Sequence, residues 1–198
     1  FTTWKLGIMA AGAIVVAAVS PFAISAIQSR QATNSVESSN AQRAAMESAA
    51  WMIIKDYPFG TGPDQYVVVS NVGGYSARAG VGWMASNRST AVHNSYLLVW
   101  AEPGVLGLIT MLLVLIVPIV TTFRAAFRFR REPESELLLG VAVAMTMVAL
   151  HLLYEWLFIM FLLQYMFGMT SGVAIGLAIR LNAPAKRARA STAASAAG

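Results

Sequence analysis

The chain has 198 residues, of which 57% are hydrophobic and 12% charged, where an ordinary soluble domain carries about 25% charged residues; a soluble domain is excluded. It has no cysteine, so disulfides, thiolate catalysis and cysteine-based zinc or iron–sulfur sites are excluded in any compartment. The net charge of +5 comes from basic residues beside apolar runs, where orientation in a bilayer accounts for them, so nucleic acid is not expected as a partner.

The first apolar run, Leu6 to Ile27, follows Lys5 and is long enough for a transmembrane helix, placed at residues 1–27. A signal peptide is the rival reading of the same pattern, a basic residue before an apolar stretch with small residues after it. Because the chain opens on Phe1, it is expected to be the C-terminal part of a longer polytopic protein.

Residues 28–93 turn polar and form the one large extramembrane loop, with acidic and basic residues nearly balanced. Within it, "AQRAAMESAAWMIIKD" reads as a short amphipathic helix from about Ala41 to Asp56, with Asn40 as N-cap and Pro58 enforcing the stop. "PFGTGPDQY" follows, its glycines and Pro63 specifying tight turns.

A second span is expected at 94–123, capped by Asn94 or Ser95, and a basic cytoplasmic loop at 124–136. The apolar stretch from Leu137 to Ile179 is too long for one crossing, and "HLLYEW" divides it into spans at 137–155 and 156–180. The small, polar stretch at 181–198 reads as a disordered tail. Arg124, Arg128, Arg130 and Arg131, together with Arg180, Lys186, Arg187 and Arg189, fall on the side of Lys5 if four spans cross. The positive-inside rule then puts them in the cytoplasm and the large loop outside.

Few residues in this pattern offer chemistry. Arg43, in the first turn of the expected loop helix, would place a guanidinium fork beside free backbone N–H groups, a seat for phosphate; a solvated or headgroup-contacting arginine is the plainer reading. His93 stands at the lip of the second span, and a neutral imidazole there can accept a hydroxyl proton. Glu102 lies within that span, nine residues on and on the opposite side of an ideal helix, so it reads as a structural contact to a neighbouring helix or a buried arginine rather than a partner of His93. Pro103 and Gly104 are expected to kink the span after it. His151 and Glu155, four apart, would either pair with each other or face the cavity of His93. Arg78 and Arg88 are accessory candidates for which a surface role is the simpler account.

Two of these runs together resemble a known family. "RAAMESAAWMIIKDYPFGTGPDQY" is similar to the arginine, helix and "P-x-x-G-x-G" element of the O-antigen ligase and polymerase family, and "HNSYLLVWAEPGVLGL" to its "H-N-x-x-L...E-x-G-x-x-G-L" element; "HLLYEW" is similar, more weakly, to a histidine-containing run in the next outward turn. The resemblance implies transfer of a glycan from an undecaprenyl-diphosphate-linked donor to a glycan or lipid acceptor hydroxyl at the outer face of the bacterial cytoplasmic (inner) membrane, as in lipopolysaccharide assembly. It implies His93 as the catalytic base, with Arg43, Arg88 and Asn94 as substrate-binding residues and Glu102, His151 and Glu155 in support. No metal or other cofactor is expected, since arginine would meet the leaving charge.

The expected fold class is therefore an all-α membrane protein with about four transmembrane helices and one large extracytoplasmic loop. The competing reading is a transporter or channel fragment with Glu102, His151 and Glu155 lining a pathway. The two differ in where polar groups gather: at the outer lip for an enzyme, at the bilayer midplane for a transporter.

Overall fold

The computed structural model describes residues 14, 17–22, 24–26, 28 and 35–196. The chain divides into two units, residues 1–44 and 45–198. In the first, residues 14, 17–22, 24–26 and 28 are helical and 35–44 begin a long helix; the other residues of the expected 1–27 span lie outside the described residues.

No strand occurs among the described residues. The helices are α1 (Ser35–Asp56), α2 (Tyr66–Val72), α3 (Tyr75–Arg78), α4 (Ala85–Arg88), α5 (Ser95–Ala101), α6 (Gly104–Arg128), α7 (Glu134–His151) and α8 (Phe161–Ala196), with a single 3-10 turn at Leu157–Ile159. Three of them contain segments long and apolar enough to cross a membrane: Gly104–Arg128, Glu134–His151 and Phe161–Ala183.

The second unit has a loop core and a span core. Along α1, Met46, Ala49, Ala50, Ile53 and Ile54 recur at helical spacing and are all buried, whereas Trp51 between them and Lys55 just after them are exposed. That stripe packs with Tyr66, Tyr75, Val81, Val92, Leu97, Leu98 and Ala101. The Tyr66 hydroxyl donates to the Met46 carbonyl at 2.9 Å, and burial pushes its ionisation well above the usual tyrosine range. Tyr75 donates to Asp56 at 2.7 Å; that bond, then burial and the carboxylate charge, raise its pKa to about 12. Its contribution is complete below the ordinary tyrosine value near 10 and is lost only as pH rises toward 12.

Helices α6 and α7 run antiparallel through the short connection at 129–133, where Ser135 Oγ donates to the Ala126 carbonyl at 2.9 Å. Ala125 and Ala126 on α6 and Ala174 and Ala178 on α8 are buried together with Leu138 of α7, small residues that let helix backbones approach closely. Nearer the opposite end, Met111, Leu115, Met145, Leu152 and Phe167 form a second cluster. The outward faces carry Leu113, Val117, Val143 and Val173, all exposed, as a lipid-facing surface requires.

Several boundaries differ from the sequence reading. Helix α1 starts at Ser35 rather than Ala41, so Asn40 lies inside it and Arg43 two turns from its start. The 28–93 loop holds three further short helices. The expected 94–123 span is two helices, because α5 stops at Ala101 and α6 begins at Gly104 with φ +78°, a backbone conformation that only glycine adopts without strain. The third span ends at His151 instead of 155 and the next begins at Phe161 instead of 156. The backbone of the expected disordered tail continues as helix to Ala196, through Ala, Lys and Arg, which are strong helix formers.

Candidate functional site

The site is built where α5 starts and α7 ends. Asn94 is extended (φ −154°, ψ 107°) and its side-chain oxygen accepts from the N–H groups of Tyr96 and Leu97 at 3.1 and 3.2 Å, the geometry of an N-cap. The cap starts α5 immediately after His93 and leaves the imidazole in the loop at its lip. Asn94 thus has a structural task for its carboxamide oxygen, and its substrate-binding reading rests on the remaining amide group.

Three contacts fasten this lip to the last turn of α7 and the turn that follows it. The Ser95 N–H donates to the Leu152 carbonyl at 2.9 Å, Ser95 Oγ to the Glu155 carbonyl at 2.7 Å, and the Tyr96 hydroxyl to the Ala149 carbonyl at 2.8 Å. Residues about 60 apart in sequence are therefore held in register by direct bonds to backbone. Within that frame His93 Nδ1 lies 3.3 Å from Glu155 Oε2, with the two side chains 25% and 32% exposed. Trp156 Nε1–H donates to the same Nδ1 at 3.0 Å, its ring edge-on to the imidazole at 5.9 Å. Both contacts fall on Nδ1.

Of the two alternatives for the His151 and Glu155 pair, the structure brings Glu155 to His93. Helix α7 ends at His151, which is exposed, and the chain turns over the next residues, so the four-residue helical spacing no longer applies. The backbone carbonyl of His151 closes that turn by accepting from the N–H groups of Tyr154 and Glu155.

Glu102 does something the sequence did not suggest. Its carboxylate accepts from the backbone N–H of Asp64 at 3.1 Å and of Tyr66 at 3.0 Å, so it satisfies the first turn of α2, not a neighbouring span or an arginine. The backbone joins in: Gly62 N–H donates to the Glu102 carbonyl at 3.0 Å, Thr61 N–H to the Ala101 carbonyl at 2.9 Å and Val105 N–H to the Pro58 carbonyl at 3.2 Å. "PFGTG" and "AEPG" are two halves of one interlock. It sits in the gap between α5 and α6, where α5 has released its last carbonyls and a loop backbone can use them.

Arg88 is engaged within its own loop. It donates to the carbonyls of Val81 at 2.7 Å and Gly82 at 3.3 Å and to Asn71 Oδ1 at 3.3 Å, and its guanidinium lies 4.2 Å from the centre of the Trp83 ring. Asn71 returns a bond to the Arg88 carbonyl at 2.8 Å. Arg78 lies over the Tyr75 ring at 4.5 Å. Arg43 belongs to the first unit and sits in the interior of α1, where backbone N–H groups bond within the helix, so the helix-terminus phosphate seat expected there is not formed.

Trp156 is the site residue that sequence reasoning passed over. Its position directly after Glu155 in the polar run "HLLYEW" is the available signal.

A family model described as O-antigen ligase matches residues 1–112, more than half of the chain and a range that contains His93 and Glu102. No curated protein and no solved structure matches it. The match over more than half of its length shows that the chain belongs to the O-antigen ligase family, membrane proteins of polysaccharide biosynthesis.

Proposed function

We propose that the chain carries the proton-transfer part of a membrane glycan transferase, moving a glycan from undecaprenyl diphosphate to an acceptor hydroxyl at the outer face of the bacterial cytoplasmic membrane. The observation that carries this reading is the partly exposed His93 imidazole, held at the loop end of the spans with Nδ1 engaged. The acceptor O–H bond breaks as Nε2–H forms; the oxygen attacks the anomeric carbon, and the bond to the diphosphate breaks, its electron pair leaving with the phosphate. The oxyanion that departs calls for a guanidinium, and Arg43 is proposed for that part on its chemistry alone. Arg88 is a less apt choice, since its N–H groups already hold the loop.

The placement of polar groups favours an enzyme over a pathway through the bilayer. Glu102 lies at the break before α6, His151 at the end of α7 and Glu155 in the turn after it. All three stand at the ends of spans, with Glu102 and Glu155 bonded to neighbours there.

The test is glycan transfer in cells by the full-length protein. His93→Ala is expected to abolish transfer at unchanged membrane insertion, and Arg43→Lys to impair it, because an ammonium lacks the bidentate fork. Undiminished transfer by His93→Ala would remove the imidazole from the reaction.

A further inference from the structure

We infer that Trp156 and Glu155 compete for Nδ1 of His93 and thereby decide which ring nitrogen carries the proton. The inference rests on the reading of His93 as a general base and adds two positioning residues to it.

A neutral imidazole has one N–H and one lone pair, on different nitrogens. The Trp156 indole can only donate, so its 3.0 Å contact requires the lone pair on Nδ1 and the proton on Nε2. An ionised carboxylate can only accept, so the 3.3 Å contact to Glu155 requires the proton on Nδ1 and the lone pair on Nε2. A protonated Glu155 would need the same lone pair as the indole. One nitrogen therefore faces two partners of opposite demand, and the ring satisfies one at a time.

The two arrangements differ in what His93 shows a substrate. Paired with Trp156, it presents an Nε2–H and cannot take a proton there. Paired with Glu155, it presents a lone pair and is a base. The indole contact is the shorter, and at 3.0 Å it lies at the usual length for an N–H donor, whereas 3.3 Å is long for one. The resting ring is thus the Nε2–H tautomer; to convert it, Nε2 releases its proton to water and Nδ1 takes one up from water, which can reach a ring that is 25% exposed, while the ring turns from the indole toward Glu155. Once Nε2 has taken the hydroxyl proton, both nitrogens carry hydrogen; the indole then opposes an N–H, and only Glu155 satisfies Nδ1. Glu155 favours the reactive form and Trp156 the resting one.

The chain has two histidines, so the 15N NMR signals of the full-length protein that vanish in His93→Gln but persist in His151→Gln identify the His93 imidazole. In 15N-histidine-labelled protein reconstituted in nanodiscs at about pH 9, well above the ordinary imidazole value near 6.5, Nε2 is expected to be the protonated nitrogen. Trp156→Phe, which keeps an aromatic ring but removes the donor, should move the proton to Nδ1. Glu155→Gln, which keeps the shape but loses the charge, should leave it on Nε2 and lower kcat for glycan transfer at least tenfold with KM unchanged. A proton on Nδ1 in the otherwise unchanged protein, or the same tautomer with and without the indole, overturns the inference. If the tautomer shifts as described while His93→Ala still transfers glycan, the competition stands and the general-base reading falls.

Discussion

Glu102 shows what a carboxylate inside an apolar run can be for. Spacing placed it within a span, yet α5 ends just before it, and its two oxygens take the N–H of Tyr66, the first residue of α2, and of Asp64 just ahead of that helix. Removing this acceptor is costly at Tyr66, where a buried donor left unsatisfied costs about 1 to 3 kcal/mol, and less so at Asp64, whose exposed N–H can turn to water. Glu102→Ala is therefore expected to free the 59–66 segment and make it protease-sensitive in detergent-solubilised protein, while Glu102→Gln, which keeps one acceptor, should be intermediate. Equal protease resistance in all three proteins would show that the carboxylate holds nothing. Arg88 is the same lesson with the sign reversed: a guanidinium in a glycine-rich loop reads as a ligand for anions, and here its donors stitch Val81, Gly82 and Asn71 together.

Among elements, the junction between the loop and α6 depends on two glycines. Gly60 has φ +90°, and a Cβ there would lie 2.0 Å from the Glu102 carbonyl oxygen; Gly104 has φ +78°, and a Cβ there would lie 2.2 Å from the Phe59 carbonyl carbon. Each contact is with backbone, which has nowhere to move while Gly62, Thr61 and Val105 hold the same strands of chain together. Gly60→Ala is expected to separate the loop from α6 and lower the midpoint of thermal unfolding in detergent by several degrees. Gly74→Ala, also at positive φ but with open space around it, should cost less, since only the backbone penalty of about 1 to 2 kcal/mol for a left-handed residue applies. Equal effects at the two sites would show that the close approach is not what Gly60 provides.

At the scale of the molecule, α6, α7 and α8 alternate in direction, and the turn after α7 returns to the start of α5. The arginines at 124, 128, 130 and 131 thus stand at the ends of α6 and α7 away from His93. If the positive-inside rule orients the bundle, His93 and its loop face outward. These 198 residues include no cysteine, so in a cysteine-free version of the full-length protein a single cysteine placed among them reports orientation. Ala85→Cys, at an exposed position in the loop, is expected to react with an impermeant maleimide in spheroplasts, and Glu132→Cys, exposed between α6 and α7, only after the membrane is opened. The reverse pattern would put the site in the cytosol and remove the proposed donor from reach.

The sequence by itself determined the class of the molecule and the order of its parts. Composition and run length suffice for apolar spans because transfer of a helix into a bilayer depends on the sum over about 20 residues, whatever their partners. The same local logic narrowed the N-cap to Asn94 or Ser95, of which the structure takes Asn94, and read an amphipathic helix ending at Asp56, since both depend on neighbours within a few residues. Tertiary structure decided the rest. Glu155 and Trp156 meet His93 across about 60 residues because Ser95 and Tyr96 bond the far turn, and Glu102 meets α2 across more than 30. Such contacts follow from how helices pack and where a chain reverses, and no spacing along the sequence encodes them. The position of Arg43 within α1 likewise turned on a helix start that propensity alone left six residues too late.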